Sequence, residues 1–417
     1  MLVKTILNRV EKHKSFVYGT VKFGNEADSS TVEVEVHARA NSRPTCSGCQ
    51  IPGPGYDRLP VRRFEFVPLW GIAVFLVYAM RRVDCQTCGV RVEVVPWAEG
   101  KNHLTRTYSW FLALWAKRMS WKGVAGAFRT SWENVYRSVE MAVGWGRDHM
   151  DLGGVKSIGV DEIQWQCGHK YLTLVYQIDE ERKRLLWVGK ERTIETLEGF
   201  FTWFGEARSA ALEFVCSDMW KNYLTVIKNR ASQAINVLDR FHIMAHMSKA
   251  IDEVRASEAR ELKARGFDPV LKWTRWLLLK RPENLSEDQE VRLGDLLRYN
   301  LKAVRAYLLK EDFQFFWEYV SPTWAGKFLD RWCTRALRSR LEPMKKVART
   351  LRNHRDLILN WFRAKEALSS GAVEGFNNKA KLTTRTAYGF RTFDAAQIAL
   401  YHALGDLPTP EFTHRFC

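Results

Sequence analysis

The stretch Ser157-Ile-Gly-Val-Asp-Glu162 decides the fold of this chain, because an apolar run that ends on an acid predicts a buried strand presenting a carboxylate. A second such run, Leu212-Glu-Phe-Val-Cys-Ser-Asp-Met-Trp220, ends in the same way. A third stretch, Ser370-Gly-Ala-Val-Glu-Gly-Phe-Asn-Asn-Lys379, places an acid in the predicted first turn of a helix. Three candidate metal ligands result: Asp161, Asp218 and Glu374.

Carboxylates presented in this way can hold divalent metal ions. Two such ions about 3.5–4 Å apart activate an attacking oxygen and stabilise the leaving oxygen of a phosphodiester, without a covalent intermediate. The pattern therefore indicates an enzyme of nucleic-acid strand transfer. The alternative is structural: each Asp merely ends a strand, and the Glu merely caps a helix. The charge surplus and the helix face described next favour the metal site.

The composition points to a polyanionic partner. Sixty-four Lys and Arg stand against 47 Asp and Glu, which gives a formal net charge of +17. Neutralising phosphates releases condensed counterions, so a surplus of this size favours nucleic acid. The segment 331–391 alone has 15 Lys or Arg and four acids. Beside a metal site, this segment is expected to hold a DNA backbone.

The length of 417 residues predicts two to four domains. The longest apolar run, residues 69–80, is well short of the roughly 20 residues that cross a bilayer. The N-terminus lacks the charged start, apolar middle and cleavage site of a signal peptide. We therefore expect a cytoplasmic protein without a membrane partner.

Two tight cysteine pairs, Cys46/Cys49 and Cys85/Cys88, are separated by 35 residues. Four thiolates in this pattern can close a tetrahedral zinc site without an open position, which would make the zinc structural. The segment between the pairs has the aromatic and β-branched residues of paired strands, so two knuckles joined by a hairpin predict a zinc ribbon. The alternative is a small core of reduced thiols. The other cysteines are predicted to be buried or incidental: Cys167, Cys216, Cys333 and Cys417.

A helical pattern begins near His103, with apolar residues at helical spacing from Tyr108 to Trp115. Two further helices are predicted at residues 121–128 and 131–143, separated by a tight link and with Ser131 as N-cap of the last. Three helices with a tight second turn suggest a helix-turn-helix, although an ordinary helical hairpin has the same pattern. The residues expected to meet a major groove are Ser131, Glu133, Asn134 and Arg137.

The next hundred residues change to a mixed pattern. Five strands are predicted at residues 157–161, 171–178, 184–188, 212–216 and 234–238, with helices at 193–204 and 221–229. Three strands followed by a helix, a strand, a helix and a strand is the order of the ribonuclease-H-like fold, a three-layer α/β domain.

From about Ala250 to Arg363 the pattern is helical, which predicts an all-helical insertion into the sheet domain. Trp273, Trp276 and Trp324 in this part could stack on an unpaired base, but we expect them to be core residues. The predicted multidomain organisation is 1–98 (strands and zinc ribbon), 99–150 (helix-turn-helix), 151–250 (catalytic core, first part), 251–365 (helical insertion) and 366–417 (completion of the core).

A basic helix face follows the third acid. If Gly371 is the N-cap, Glu374, Asn378, Lys381 and Arg385 lie at i, i+4, i+7 and i+11 of one helix. That face would present the metal ligand at its N-terminal end and phosphate-binding groups along the rest. We expect phosphate contacts from Lys379, Lys381 and Arg385, with Asn378 beside them.

Four strings carry a family resemblance: Ile158-Gly-Val-Asp-Glu162, Ser217-Asp-Met-Trp220, Leu238-Asp-Arg-Phe-His242 and Val373-Glu-Gly-Phe-Asn-Asn-Lys379, closed by Ala387-Tyr-Gly-Phe390. Together they resemble the ISL-three family of bacterial insertion-sequence transposases, over nearly the whole chain. That family also sets a zinc ribbon and a helix-turn-helix before its catalytic domain.

The resemblance implies a DDE transposase with Asp161, Asp218 and Glu374 as its catalytic triad. It implies two Mg²⁺ ions, or Mn²⁺, hydrolytic nicking at the ends of a mobile element, and attack of the freed 3′-hydroxyl on another phosphodiester. The implied partners are double-stranded DNA, as terminal inverted repeats and as target, and further copies of the chain in a dimer or higher oligomer at the nucleoid.

Asp239 and His242 resemble an Asp-x-x-His motif that follows the second Asp in several DDE families. They are candidates for supporting the metal ligands, and a purely structural hydrogen bond is an equal alternative. A rival function is a non-catalytic regulator that binds DNA through the zinc ribbon and the helix-turn-helix. Loss of one acid would favour that rival, and all three acids are present.

Overall fold

The computed structural model describes residues 3–24, 31–267, 270–364, 372–411 and 413. The chain divides into two compact units, Met1–Asp151 together with Tyr401–Cys417, and Leu152–Leu400. Within the described ranges, each helix is too short or too polar to span a bilayer.

The first unit is built on a five-stranded sheet. Its elements are α1 (Val3–Val10), β1 (Phe16–Phe23), β2 (Thr31–Ala38), β3 (Gly55–Leu69), β4 (Ile72–Cys85) and β5 (Gly89–Val92). The strand order is β1-β2-β4-β3, with β5 on β4. Alternate residues of β4 are buried around Trp97, as expected for a half-buried strand. Helix α1, whose Leu7 is buried, was not predicted from the sequence.

The long hairpin between the cysteine pairs is confirmed. Strands β3 and β4 are antiparallel, and Leu69 faces Ile72 across a two-residue turn. Both turn residues have positive φ, 50° at Trp70 and 80° at Gly71. Two positive φ values define the tight turn whose twist matches that of paired strands, and the glycine tolerates one of them without strain.

Three helices follow in the first unit: α2 (Arg106–Trp115), α3 (Trp121–Ala127) and α4 (Trp132–Asp148). The N-caps Thr105, Ser120 and Ser131 each accept a hydrogen bond from the backbone N–H three residues on, which fixes where the helices begin. The predicted cap at Ser131 is confirmed, whereas α4 runs beyond the predicted end at residue 143.

The second unit has a mixed sheet of β6 (Ser157–Gln166), β7 (Lys170–Ile178), β8 (Lys183–Lys190), β9 (Phe214–Ser217) and β10 (Ile235–Leu238). The order is β10-β9-β6-β7-β8. Strands β6, β7 and β8 are antiparallel, and β6, β9 and β10 are parallel. All five predicted strands are confirmed, with shifted ends. The prediction that Asp161 ends its strand is wrong, because pairing with β7 continues to Gln166.

The helices of the second unit begin with α5 (Ile194–Phe204), α6 (Glu206–Ala210) and α7 (Lys221–Arg230). The helical region after the sheet consists of α8 (Arg240–Ala264), α9 (Arg275–Leu279), α10 (Glu287–Leu297), α11 (Lys302–Gln314), α12 (Pro322–Arg338), α13 (Glu342–Asn353), α14 (Arg355–Leu359) and α15 (Trp361–Ala364), with 3₁₀ turns at Pro282–Asn284 and Phe315–Glu318. Helix α8 starts directly after β10, earlier than predicted.

The prediction that three tryptophans of this region are core residues is wrong. The exposed fractions are 77% for Trp273, 59% for Trp276 and 57% for Trp324. A lysine or arginine side chain lies over each of these rings. Phenylalanines and Trp332 fill the core of the region instead.

Two last helices complete the described chain, α16 (Ala372–Thr386) and α17 (Phe393–Leu404). Helix α16 packs against β6 and β7. It can approach β6 closely because Gly159 has no side chain, and a Cβ there would collide with Cγ2 of Val373. Phe376 stacks on Tyr176 of β7 with ring centroids 4.9 Å apart. These contacts bring the first turns of α16 to the middle of the sheet.

Candidate active site and cysteine cluster

Three side chains converge where β6 meets the start of α8. Asp161, Asp239 and His242 each offer a ligand atom, and the three atoms lie within 4.8 Å of one another. Asp239 caps α8 by accepting a hydrogen bond from the Phe241 N–H at 2.8 Å. Nε2 of His242, one helical turn on, lies 3.3 Å from Oδ2 of Asp161. Carboxylate oxygens and an imidazole nitrogen are donors that suit a divalent cation.

Burial and charge set the protonation of this group. The hydrogen bond with Asp161, the largest effect, raises the pKa of His242 to about 9, so this imidazole is protonated at neutral pH. Burial raises the pKa of Asp239 to about 6. A protonated histidine between two carboxylates compensates charge that burial would otherwise make costly. A metal ion bound here would take over that compensation.

Asn377 fixes the orientation of Asp161. Its side-chain amide donates a hydrogen bond to Oδ2 of Asp161. Its amide oxygen accepts from the Tyr176 hydroxyl at 2.9 Å, and the backbone N–H of Glu162 donates to Oδ1 of Asp161 at 2.7 Å. This buried asparagine was not predicted as a site residue from the sequence. The available signal was its position at i+3 from Glu374, which places both on one side of a helix.

Asp218 directly follows β9, and its carboxylate is held by two donors. Oδ1 accepts from the Trp220 N–H at 2.9 Å, and Oδ2 lies 3.0 Å from the guanidinium of Arg192. The same guanidinium lies 2.6 Å from Oε1 of Glu162 and 4.3 Å from the centroid of the Trp220 ring. Burial raises the pKa of Asp218. Burial, followed by the charge of Asp218, raises the pKa of Glu162 to about 7.

Arg192 therefore joins two acids that approach the cluster from neighbouring strands. Neither Arg192 nor Glu162 was predicted as a site residue from the sequence. Glu162 was visible as the acid next to Asp161 in the quoted run. No sequence pattern indicated Arg192, because its role depends on strands β6 and β9 lying side by side.

An open cavity of about 500 Å³ faces the cluster. Of the sequence-predicted residues it brings together Asp161, Asp239, His242, Glu374, Asn378 and Lys381. Glu374 lies in the first turn of α16, as predicted. The proposed N-cap Gly371 lies outside the described residues, as does the predicted domain boundary at 365/366.

Three other residues predicted for this site, Asp218, Lys379 and Arg385, are outside the lining of this cavity. Asp218 faces Arg192. Lys379 and Arg385 are exposed farther along α16, with Nζ of Lys379 5.7 Å from the centroid of the Phe376 ring. Among the described residues that line the cavity, none of these three occurs. The predicted helix face is therefore divided: its first two turns meet the cavity and its last turn faces outward.

The four predicted cysteines form a second cluster, in the first unit. The sulfurs of Cys46, Cys49, Cys85 and Cys88 lie within 4.8 Å of one another, and those of Cys49 and Cys85 are 3.5 Å apart. Backbone N–H groups donate to Cys46 and Cys85, both at 3.4 Å. Four sulfurs at about 2.3 Å from a zinc ion are about 3.8 Å apart, so this donor set fits a zinc ribbon.

The predicted groove-facing residues lie at the start of α4. Ser131 and Glu133 are exposed, and Arg137 is exposed with its guanidinium 2.6 Å from Glu133. Asn134 is half-buried, and its amide donates to the Thr130 hydroxyl at 2.9 Å. The side chain bends back because α3 and α4 are joined tightly, with Arg129 at a φ of 52°.

Comparison with known proteins places this arrangement in a family. Residues 158–400 match the model of the ISL-three DDE family, described as a transposase. The transposase for insertion sequence element IS1001 of Bordetella parapertussis is 29% identical over 349 residues, which cover 83% of this chain and 85% of that protein.

The transposase for insertion sequence element IS1557 of Mycobacterium tuberculosis is 29% identical over 422 residues, covering 92% of this chain and 90% of that protein. The resemblance drawn from the four sequence strings is confirmed. Because the family match spans more than half of the sequence, this chain belongs to the ISL-three family of DDE insertion-sequence transposases.

Proposed function

We propose that this chain binds the terminal inverted repeats of an insertion sequence and catalyses metal-dependent cleavage and strand transfer of DNA. The observation that carries the proposal is the convergence of Asp161, Asp239, His242 and Glu374 on one open cavity, in a chain whose relatives are named as transposases. We propose Asp161, Asp218 and Glu374 as the catalytic triad.

The strand order supports a ribonuclease-H-like core. The order of elements along the chain, β6-β7-β8-α5-α6-β9-α7-β10, agrees with the order predicted for that fold apart from the short additional helix α6. In the sheet, parallel β9 and β10 extend the antiparallel strands β6, β7 and β8. The helices between β10 and α16 then form the insertion, and α16 returns the third acid to the sheet. The division into segments 1–98, 99–150, 151–250, 251–365 and 366–417 belongs to this proposal.

Mg²⁺ or Mn²⁺ is the proposed cofactor of the triad, because oxygen donors suit these hard cations. Bound ions would activate the attacking oxygen and stabilise the leaving oxygen of the phosphodiester. The chain's own groups prepare the site. Asn377 and the Glu162 N–H orient Asp161, and His242 donates to the same carboxylate. Arg192 holds Asp218 in place.

The DNA backbone is proposed to follow α16. Asn378 and Lys381 line the open cavity that faces Asp161 and Glu374, which we call the acid cavity. There they can reach phosphates beside the scissile one. Lys379 and Arg385 are exposed on the same helix and would contact phosphates farther out. Because these contacts are to phosphates, they position the DNA and do not read its sequence.

Recognition of the inverted repeat is proposed for the first unit. The cysteine cluster would hold a structural zinc ion, and helices α2 to α4 would act as a helix-turn-helix with Ser131, Asn134 and Arg137 at the major groove. Two element ends must be brought together for strand transfer, so the active form is proposed to be a dimer or a higher oligomer.

The test is incubation of the protein with Mg²⁺ and DNA that carries both element ends, followed by mapping of the nicks. Asp161→Asn, Asp218→Asn and Glu374→Gln should each abolish nicking and leave end binding largely intact. Asp295→Asn, an exposed acid of α10, is the matched control and should nick normally. Wild-type nicking by one of the three variants would remove that residue from the site. Protection of the ends without any nicking in Mg²⁺ or Mn²⁺ would favour the regulator.

A further inference from the structure

A groove of about 1040 Å³ in the helical region of the second unit opens beside the acid cavity. Three residues line both spaces: Arg240 at the start of α8, Arg281 before the 3₁₀ turn Pro282–Asn284, and Gln314 at the end of α11. We call this space the insertion groove. The shared residues make it continuous with the cavity that faces Asp161 and Glu374.

The shared end of the insertion groove has cations without carboxylate partners. Among the described residues, no ion pair includes Arg240 or Arg281. Five arginines and four acids line the groove. Of the acids, Asp312 pairs with Arg335 and Glu311 lies 3.0 Å from Lys310, whereas Glu283 and Glu318 add negative charge elsewhere on its wall. Two guanidinium groups that repel each other favour an anion between them, and phosphate accepts their paired N–H groups.

The wall of the insertion groove also has exposed apolar surface. Phe315 is 55% exposed and Leu308 is 51% exposed. Every nucleic-acid base has a flat face that stacks on an aromatic ring. The volume is at the upper end of the range for small-molecule pockets, a size that suits a single strand better than a duplex.

We propose that the insertion groove binds an unpaired DNA strand leading away from the acid cavity, with Arg240 and Arg281 on its phosphates and Phe315 against a base. The inference rests on the proposed function, since opening or cleavage of the duplex at the cavity supplies that strand. It assigns to the helical insertion a specific task, which is to hold one strand apart from its complement.

The test measures fluorescence anisotropy of the full-length protein without added Mg²⁺, using three probes: labelled oligodeoxythymidine, the same strand with abasic sites, and a blunt duplex. Phe315→Ala should weaken oligodeoxythymidine binding about tenfold, because a stacked base loses its aromatic partner. Binding of the abasic strand, which has no base to stack, should stay at the wild-type level. Arg281→Ala should weaken both single strands and make the logarithmic salt slope shallower by about 0.7. Arg281→Lys should restore part of the loss.

Arg292→Ala, an exposed arginine of α10 outside the groove, is the matched control and should bind all probes as wild type does. Unchanged single-strand binding in both Phe315→Ala and Arg281→Ala would overturn the inference. Equal losses on the blunt duplex would also overturn it.

The nicking assay with Mg²⁺ separates this inference from the proposed function. If the wild-type protein nicks element ends but the groove variants bind single strands normally, only the inference about the groove is contradicted. If single-strand binding depends on Arg281 and Phe315 but the protein never nicks element ends, the inference about the groove holds and the proposed function is contradicted.

Discussion

Asn377 of α16 donates a side-chain hydrogen bond to Asp161 of β6, across 216 positions of sequence. The other side of its amide is held by Tyr176 of β7. An amide with both ends paired has one orientation, and so has the carboxylate that accepts from it. Docking of α16 on the sheet therefore delivers Glu374 to the cavity and aligns Asp161 in the same event.

Asn377→Ala should reduce Mg²⁺-dependent nicking roughly 10–100-fold, the usual loss when a group that orients a metal ligand is removed. Binding to the element end should stay at the wild-type level. Tyr176→Phe removes only the hydroxyl behind the amide and should lose less. The measurement is the nicking rate as a function of Mg²⁺ concentration, with the change expected in the apparent Mg²⁺ affinity. A wild-type Mg²⁺ dependence in Asn377→Ala would contradict the positioning role.

Gly159→Ala should destabilise the second unit by roughly 1–3 kcal/mol, since the added methyl group collides with Val373 and forces α16 away from β6. Nicking should fall as well, because Glu374 is the next residue on α16. Urea unfolding and the nicking assay measure the two effects. The double change Gly159→Ala with Val373→Ala makes room for the methyl group and should recover part of both. A double variant no better than the single one would show that the collision is not the cause.

Zinc should copurify at about one ion per chain, because a small four-thiolate site is held together by its metal. Cys85→Ser should remove the zinc and weaken binding to the element end. Cys167→Ser changes an exposed cysteine outside the cluster and should retain both. Elemental analysis of freshly purified reduced protein and end-binding titrations provide the measurements. Zinc-free wild-type protein would rule out the metal site.

Lys381→Ala should weaken binding to unrelated DNA sequences alike, because this lysine meets phosphates in the proposed complex. The slope of log K against log salt should become shallower by about one unit. Lys228 is an exposed lysine of α7, and Lys228→Ala is the matched control. This variant should keep the wild-type slope if the effect is local to α16. A loss confined to one sequence, with the slope unchanged, would instead place Lys381 at a base edge.

The stability of the first unit should fall between pH 7 and pH 5 because of His402. Burial, followed by the charge of Lys117, lowers the pKa of this histidine to about 4. The unfolded chain takes up the proton near pH 6.5 and the folded chain does not, so acid favours unfolding. This loss of stability is absent above pH 7 and amounts to about 2 kcal/mol at pH 5.

His402→Gln should remove most of this pH dependence, since an amide can also donate to the Ala113 carbonyl that lies 2.9 Å from Nε2 of His402. The comparison is urea unfolding of both proteins at pH 7 and pH 5. Parallel losses in the two proteins would assign the acid sensitivity to other groups.

Local patterns were sufficient to predict the five strands of the second unit and the cysteine site. An apolar run of four or five residues next to an acid predicts a buried strand wherever it stands in the chain. A hairpin between two Cys-x-x-Cys pairs brings the pairs to one place, where their four thiols can share one metal site. In the structure the four sulfurs do lie together. The first turn of α16 at Glu374 follows from local signals in the same way.

Other features needed the assembled fold. Arg192 gains its role only when β6 and β9 lie side by side, and exposure of Trp273 and Trp276 depends on which helices cover them. An aromatic residue at helical spacing has the same local pattern whether it is buried or exposed. The core prediction for these tryptophans failed for that reason.

The sequence by itself determined the kinds of groups that this protein uses: acids after apolar runs, paired cysteines and a basic segment near the third acid. Their backbone elements follow from short-range sterics and hydrogen bonding. Only the tertiary structure decided which groups meet: Asn377 with Asp161, Arg192 with Asp218, and the insertion groove with the acid cavity. Contacts between residues hundreds of positions apart depend on how packed surfaces fit, and no local pattern encodes that fit.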